Sequence, residues 1–233
     1  MRIQRFAILI VASTIIAGGA EPGVMRSFQA SSDFALTTNP ESKRWKGIEG
    51  VVADHGRFGE VLANARTEIR SRWTEKNLYF LFVSHYETLY GQPNPSLKGD
   101  SWGLWDYDVA EVFIGHDLQN IQRYKEFEVS PQGAWIDLDV DRLRTGKEVD
   151  AAWNSGFQSR TRIDKVHKIW ICAMQIPWKA IDPRTIAAGN ELRLNLYRIE
   201  GGPVKRKFIA WQPVQSESYH TPEKFGRLRL VSR

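Results

Sequence analysis

Six residues, Val109-Ala-Glu111-Val-Phe-Ile114, constrain this chain more than any other stretch. Strand alternation sends Val109, Glu111 and Phe113 to one face and Ala110, Val112 and Ile114 to the other. Glu111 therefore sits between two apolar neighbours on its own face. An ionised carboxylate in that setting is costly unless it is paired, hydrogen-bonded or close to water. The stretch begins at Trp105-Asp-Tyr-Asp108, read here as part of the strand, and continues into strands over 124–129 and 135–139. Trp105 supplies a flat apolar plate near the carboxylate. Plate and acceptor together suit a pyranose, whose ring has an apolar C–H face to stack and hydroxyls to hydrogen-bond.

Similar patterns recur along the chain. Thr67-Glu-Ile-Arg-Ser-Arg-Trp73 alternates, and after the polar turn at 74–77 Leu78-Tyr-Phe-Leu-Phe-Val83 is apolar on both faces, which predicts a hairpin with a central second strand. Gly91, Pro93, Asn94, Pro95 and Gly99 mark a loop over 88–101 that delivers Trp102 and Trp105. One helical turn is expected over 117–123, and Ser130-Pro-Gln-Gly133 reads as a turn between strands. Strands follow over 157–163 and 168–176, then a short helix opened by Pro177-Trp178. Further strands cover 192–199, 208–211 and 228–231, with Leu192, Leu194 and Leu196 inward and Arg193, Asn195 and Tyr197 opposite. Many short strands with only fragments of helix predict an all-β fold, an antiparallel β-sandwich with one or two short helices.

The chain begins with a secretory pattern: Arg2 and Arg5, an apolar run from Phe6 to Ile16, and small residues up to Ala20. The run falls short of the ~20 apolar residues that span a bilayer, and no cysteine follows it to carry a lipid. Residues 1–20 are expected to be a cleaved signal peptide, 21–42 a flexible lead-in and 43–233 the folded domain, secreted or periplasmic. Cleavage removes two basic residues and no acid from a formal charge of +5, so the remaining excess does not point to nucleic acid. Lys205-Arg206-Lys207 reads as a solvated strand edge. Cys172 is the one cysteine, which excludes an internal disulfide, so the domain must hold together by its core. Nine tryptophans in such a chain favour an aromatic-lined site, although Trp73, Trp170, Trp178 and Trp211 read as core.

Four segments together carry a resemblance. Leu104-Trp-Asp-Tyr-Asp-Val-Ala-Glu-Val-Phe-Ile114, Asn77-Leu-Tyr-Phe-Leu-Phe82, Gln175-Ile-Pro-Trp178 and Thr221-Pro-Glu-Lys-Phe-Gly-Arg-Leu-Arg-Leu230 resemble, in order and spacing, family 9 carbohydrate-binding modules over roughly 45–231. The resemblance implies a jelly-roll or DOMON-like β-sandwich that holds a terminal sugar between two aromatic rings, as in members attached to xylanases that bind the reducing ends of glucans and xylans. By position in the motif the first ring falls on Trp105, its partner carboxylate on Glu111, the second ring on Tyr219 beside His220, and a strand amide near Asn195. Two departures stand out: the second ring is Tyr, and Glu128 occupies a place where a basic residue is expected. Trp102 and Arg198 complete the candidate ligand-binding set.

Other readings of the same residues remain open. Glu111 could be a structural carboxylate bonded to Arg193 or Arg198. With Glu126 or Glu128 it could serve a glycosidase, which needs two carboxylates at defined separation. Asp137, Asp139, Asp141 and Glu148 imitate a calcium loop, but Arg142 stands where the sharp turn needs Gly. Met25 and Met174 are the methionines left for haem ligation, and Met174 shares a face with core residues. Aromatic rings also suit an interaction module of an exported complex. The expectation is a monomeric, non-catalytic saccharide binder without cofactor, nucleic acid or membrane anchor, working beside exported glycoside hydrolases.

Overall fold

The computed structural model describes residues 21–150 and 152–232; the expected signal peptide lies outside them. Thirteen strands form one curled sheet: β1 (Val24–Gln29), β2 (Gly50–Ala53), β3 (Thr67–Trp73), β4 (Asn77–His85), β5 (Val109–Gly115), β6 (Arg123–Val129), β7 (Trp135–Asp141), β8 (Val149–Asp150), β9 (Gln158–Asp164), β10 (Ile169–Pro177), β11 (Glu191–Gly202), β12 (Lys205–Ala210) and β13 (Gly226–Val231). Their order is β8-β7-β6-β5-β11-β13-β1-β3-β4-β10-β9, with β12 beside β11 and β2 beside β3. The sheet folds over on itself, and its two halves close on a shared core to make the sandwich. Ala110, Val112, Ile114, Phe127, Leu194 and Leu196 from one half meet Ile69, Phe80, Phe82, Trp170, Cys172 and Met174 from the other. A fully buried tryptophan such as Trp170 hides ~150–250 Å² of surface, so the closure is driven mainly by burial of rings and aliphatic chains.

Alternation survives in every long strand. Ser130-Pro-Gln-Gly133 makes the expected turn, with Gly133 N–H donating to the Ser130 carbonyl at 3.0 Å and Gly133 at φ 85°, where a side chain would be strained. Pro177 precedes the short helix α1 (Trp178–Ile181), and the Trp178 indole donates to the Thr74 carbonyl at 2.8 Å. Trp73, Trp170, Trp178 and Trp211 all join the shared core. Among the described residues no helix is long and apolar enough to cross a membrane.

Three expectations are corrected. The segment 21–42 is built into the fold: β1 runs parallel to both β13 and β3, and Ala30 and Phe34 are buried. Its alternation was hidden because one inward position is Ser27, which is fully buried and meets the Ser71 hydroxyl at 2.8 Å. Beyond it, Asp33 accepts hydrogen bonds from Thr74, Asn77 and Tyr79, tying the segment down. The sheet is accordingly mixed. Second, 117–123 forms no helix; Asp117 Oδ1 accepts from the Gln119 and Asn120 amides, a local bond that competes with helix. Third, Trp105 lies on a 3-10 turn over Leu104–Asp106, and the strand begins at Val109.

Candidate functional site

The outer face of the half-sheet β7-β6-β5-β11-β12 carries a second apolar cluster and, set into it, a cleft of about 440 Å³. Parity decides what reaches it. Glu111 and Phe113 from β5, Glu126 and Glu128 from β6, Leu138 from β7, Ile199 from β11 and Arg206 and Phe208 from β12 all point to this face, and all line the cleft.

Its aromatic wall comes from the loop before β5. Trp102 is 58% exposed and packs edge to face on half-buried Trp105, ring centroids 5.0 Å apart at 80°. Gly103, at φ 78°, turns the chain between them. The loop is pinned at its end: the fully buried Asp108 carboxylate accepts from the Tyr90 amide at 2.8 Å and the Gly201 amide at 2.6 Å, linking the loop to β11. Arg206 Nη1 donates to the Trp105 carbonyl and to Asp106, each at 2.9 Å, fixing the turn from β12.

The floor is acidic. Glu111 and Glu128 stand directly opposite each other across β5 and β6, and Glu126 lies two residues from Glu128 on the same face. They are 2%, 0% and 4% exposed. Glu111 Oε2, Glu126 Oε2 and both oxygens of Glu128 accept no hydrogen bond from the described residues. Burial pushes the Glu111 carboxyl well above the carboxylate range, the charge of Glu126 adds to this and Arg206 partly offsets it. Burial likewise raises Glu128 well above that range, reinforced by Glu111 and Glu126. Glu126 is raised as well, burial outweighing the neighbouring His220 and the contact with Glu128. Such carboxyls hold protons at pH values where exposed ones have lost them.

At the far wall, His220 Nδ1 meets the Tyr124 hydroxyl at 2.6 Å, and its Nε2 lies 4.0 Å from Glu126. Tyr219 is 7% exposed; one ring face lies on Tyr197, centroids 3.8 Å apart, and its hydroxyl donates to the Ile209 carbonyl. Phe208, edge on to Tyr219 at 5.4 Å, has the Arg57 and Arg206 guanidiniums over its ring at 4.1 and 5.2 Å.

Of the candidate residues, Trp102, Trp105, Glu111, Glu128, Tyr219 and His220 share this cleft. Asn195 and Arg198 do not line it. Asn195 is fully buried beneath it, donating to the Tyr197 hydroxyl and the Gln212 carbonyl and accepting from the Gln212 amide. Arg198 pairs in register with Ala110, so its side chain enters the opposite face, where it is fully buried against Glu200 at 3.0 Å and donates to the His85 carbonyl. Neither Arg193 nor Arg198 partners Glu111: the residue opposite Glu111 on β11 is Tyr197, and Arg193 donates to the Pro222 carbonyl. Of the acids resembling a calcium loop, Asp137, Asp139 and Asp141 lie on strand β7 and Glu148 beyond its end; Asp139 is held by Lys125 and Arg144 and Asp141 by Arg123. Among the described residues no three His, Cys, Asp or Glu side chains converge as metal ligands. Met174 belongs to the shared core.

Arg57, Glu217 and Phe208 were not anticipated. Arg57 lies outside any patterned segment and reaches the cleft by pairing with Glu217 at 2.6 Å, a partner remote in sequence. Parity along β12 would have indicated Arg206 and Phe208, since Ala210 on the same face opposes Tyr197.

Two relatives and one solved structure are similar to this chain. Endo-1,4-beta-xylanase A of Thermotoga neapolitana is 24% identical over 191 residues, covering 80% of this chain but only 16% of the xylanase. An extracellular protein of Arthroderma benhamiae is 28% identical over 180 residues, covering 71% of this chain and 79% of the relative. A family 9 carbohydrate-binding module from Caldicellulosiruptor kristjanssonii, solved in complex with cellotriose, matches the fold with a TM-score of 0.66 at 12% identity, over 90% of this chain and 94% of that one. The family model described as carbohydrate family 9 binding domain-like matches residues 43–233. With that match spanning most of the chain, the protein belongs to the carbohydrate family 9 binding domain-like family.

Proposed function

We propose that the protein is an exported module that binds a saccharide in this cleft without turning it over, in support of polysaccharide breakdown. The observation that carries the reading is the placement of Trp102 and Trp105 beside the Glu111, Glu126 and Glu128 carboxyls in one cleft. An indole face stacks on a sugar ring, and protonated carboxyls both donate to and accept from hydroxyls. The cellotriose bound by the structural relative, the xylanases that carry a similar segment and the extracellular fungal relative support the saccharide, its setting and export. Stacking in an open cleft buries limited area, so affinity is expected between about micromolar and millimolar. Isothermal titration with cello- and xylo-oligosaccharides tests the proposal. Measurable binding that falls about 10-fold or more in Trp105→Ala is the expected result; no heat from any glycan across an array would overturn it.

A further inference from the structure

The floor of the cleft is more acidic than a neutral sugar requires. Hydroxyls are served equally well by amides, which carry no burial penalty for charge, yet here three carboxyls crowd onto one face of β5 and β6. Opposed like charges destabilise a sheet pair, and buried ones more so. Nearby cations are engaged elsewhere. Arg206 is held by Asp106 and the Trp105 carbonyl, Arg57 by Glu217, and His220 meets Tyr124 while approaching only Glu126. Glu128 is fully buried, lines the cleft and accepts no hydrogen bond at either oxygen; the polar neighbour it meets is the Glu126 carboxyl. A buried acid of this kind, bordering a cavity with no donor from the protein, suits a cationic group on the ligand. A small metal ion fits poorly, because no three ligands converge among the described residues. The walls include the rings of Trp102 and Trp105, which favour a larger cationic ligand through their π faces, whereas Phe208 already carries the Arg57 and Arg206 guanidiniums.

Building on the saccharide-binding reading above, we propose that the preferred ligand is an amino sugar, its ammonium group seated against Glu111 and Glu128 while Trp105 stacks on its ring. The ammonium donates to the carboxyl oxygens and favours their ionised form, so binding releases protons from the floor. An N-acetylated sugar or a neutral glucan offers no such charge.

The test is calorimetric titration of the mature protein with three oligosaccharides of equal length: cellotetraose, the fully deacetylated glucosamine tetramer and its fully N-acetylated counterpart. The expected result is that the deacetylated tetramer binds at least 10-fold tighter than the other two, with proton uptake by the buffer. Glu128→Gln and Glu111→Gln should bring that ratio toward one, thermal melts verifying that each variant folds; if a variant does not fold, the wild-type ratio decides alone. Equal or weaker binding of the deacetylated tetramer, with cellotetraose still bound, would overturn the amino-sugar inference and leave saccharide binding intact. A preference that persists undiminished in both folded Gln variants would also overturn it. Failure of all three to bind would overturn the amino-sugar inference, while the saccharide reading is decided separately by the xylo-oligosaccharide titrations and the glycan array. Calcium chloride raising the melting temperature while the deacetylated tetramer does not would assign the floor to a metal instead.

Discussion

Tyr219 lies face to face on Tyr197, centroids 3.8 Å apart and planes 13° from parallel, and the Tyr197 hydroxyl donates to the Tyr219 carbonyl. The pair makes Tyr219 a foundation of the cleft rather than a free plate. Tyr219→Ala is expected to cost about 3–5 kcal/mol, as for other buried aromatics. Tyr219→Phe, which loses only the bond to the Ile209 carbonyl, should cost about 1 kcal/mol. Denaturant melts of the two variants check the order. Indistinguishable wild-type and Tyr219→Ala curves would return this ring to a pure binding role.

Trp105 behaves differently because it is half-buried on a turn, with the Trp102 ring nearly perpendicular to it. Trp105→Ala should weaken oligosaccharide binding by about 10- to 100-fold, the range of a stacking loss of about 1–3 kcal/mol. The melting temperature should fall far less than in Tyr219→Ala. Paired titration and thermal melts of both variants measure the contrast.

The acidic floor makes stability depend on pH with a definite sign. Glu111 and Glu128 have folded pKa values raised above the ordinary 4.5, by burial first and then by neighbouring carboxyls. Their contribution is fully present below that value and is lost as pH rises through the elevated folded values. The charged and titratable groups facing them are Glu126, Tyr124, Tyr197, Tyr219, His220, Asp106, Arg206, Arg57 and Glu217. Asp139 and Asp182, with lowered pKa values, act in the opposite direction in acid, so the comparison must be with a variant. Glu128→Gln should gain stability over wild type as pH increases, by about 1 kcal/mol or a few degrees at neutral pH. A difference in melting temperature that stays flat from acid to neutral buffer would contradict this.

Asp108 lines no part of the cleft, yet it should matter to binding. Removing its carboxylate in Asp108→Ala strands the buried Gly201 amide, at a cost of about 1–3 kcal/mol, and frees the part-buried Tyr90 amide, which water can reach, at less. The loop bearing Trp102 and Trp105 then loses its anchor on β11. Hydrogen exchange should show faster exchange at Tyr90 and Gly201, with weaker oligosaccharide binding. Unchanged exchange at both amides would show that other contacts hold the loop.

Binding without turnover is testable directly. Prolonged incubation with xylo- and cello-oligosaccharides should release no reducing ends, and Glu111→Gln should alter affinity alone. Product formation that disappears in Glu111→Gln would convert the floor into a glycosidase centre.

Alternation made the long strands legible, because β3, β5 and β10 each carry seven or more residues of clear parity. It also placed Glu111 and Tyr197 on the face that holds the cleft. Arg198, adjacent to Tyr197, should have been excluded by the same rule, which sends it to the opposite side. Asn195 obeys parity but is consumed by the Tyr197 hydroxyl and the Gln212 backbone, a demand that arises only once the chain returns at 212. Arg57 was invisible because its position depends on Glu217, and local sequence carries no trace of such a pairing. The same limit hid β1, whose inward Ser27 is satisfied by Ser71 on another strand.

The position of β1 also bears on how the chain assembles. It is the first described strand to leave the ribosome, yet one of its two sheet neighbours, β13, is the last. Until Gly226–Val231 has been made, the two half-sheets have no complete seam, and one side of β1 stays an open row of amides and carbonyls. Pairings this distant in sequence form slowly, since a long loop must close before any contact rewards it. A chain interrupted before residue 226 would retain most of its strands and still present that raw edge, making incomplete copies of this protein natural seeds for association with one another.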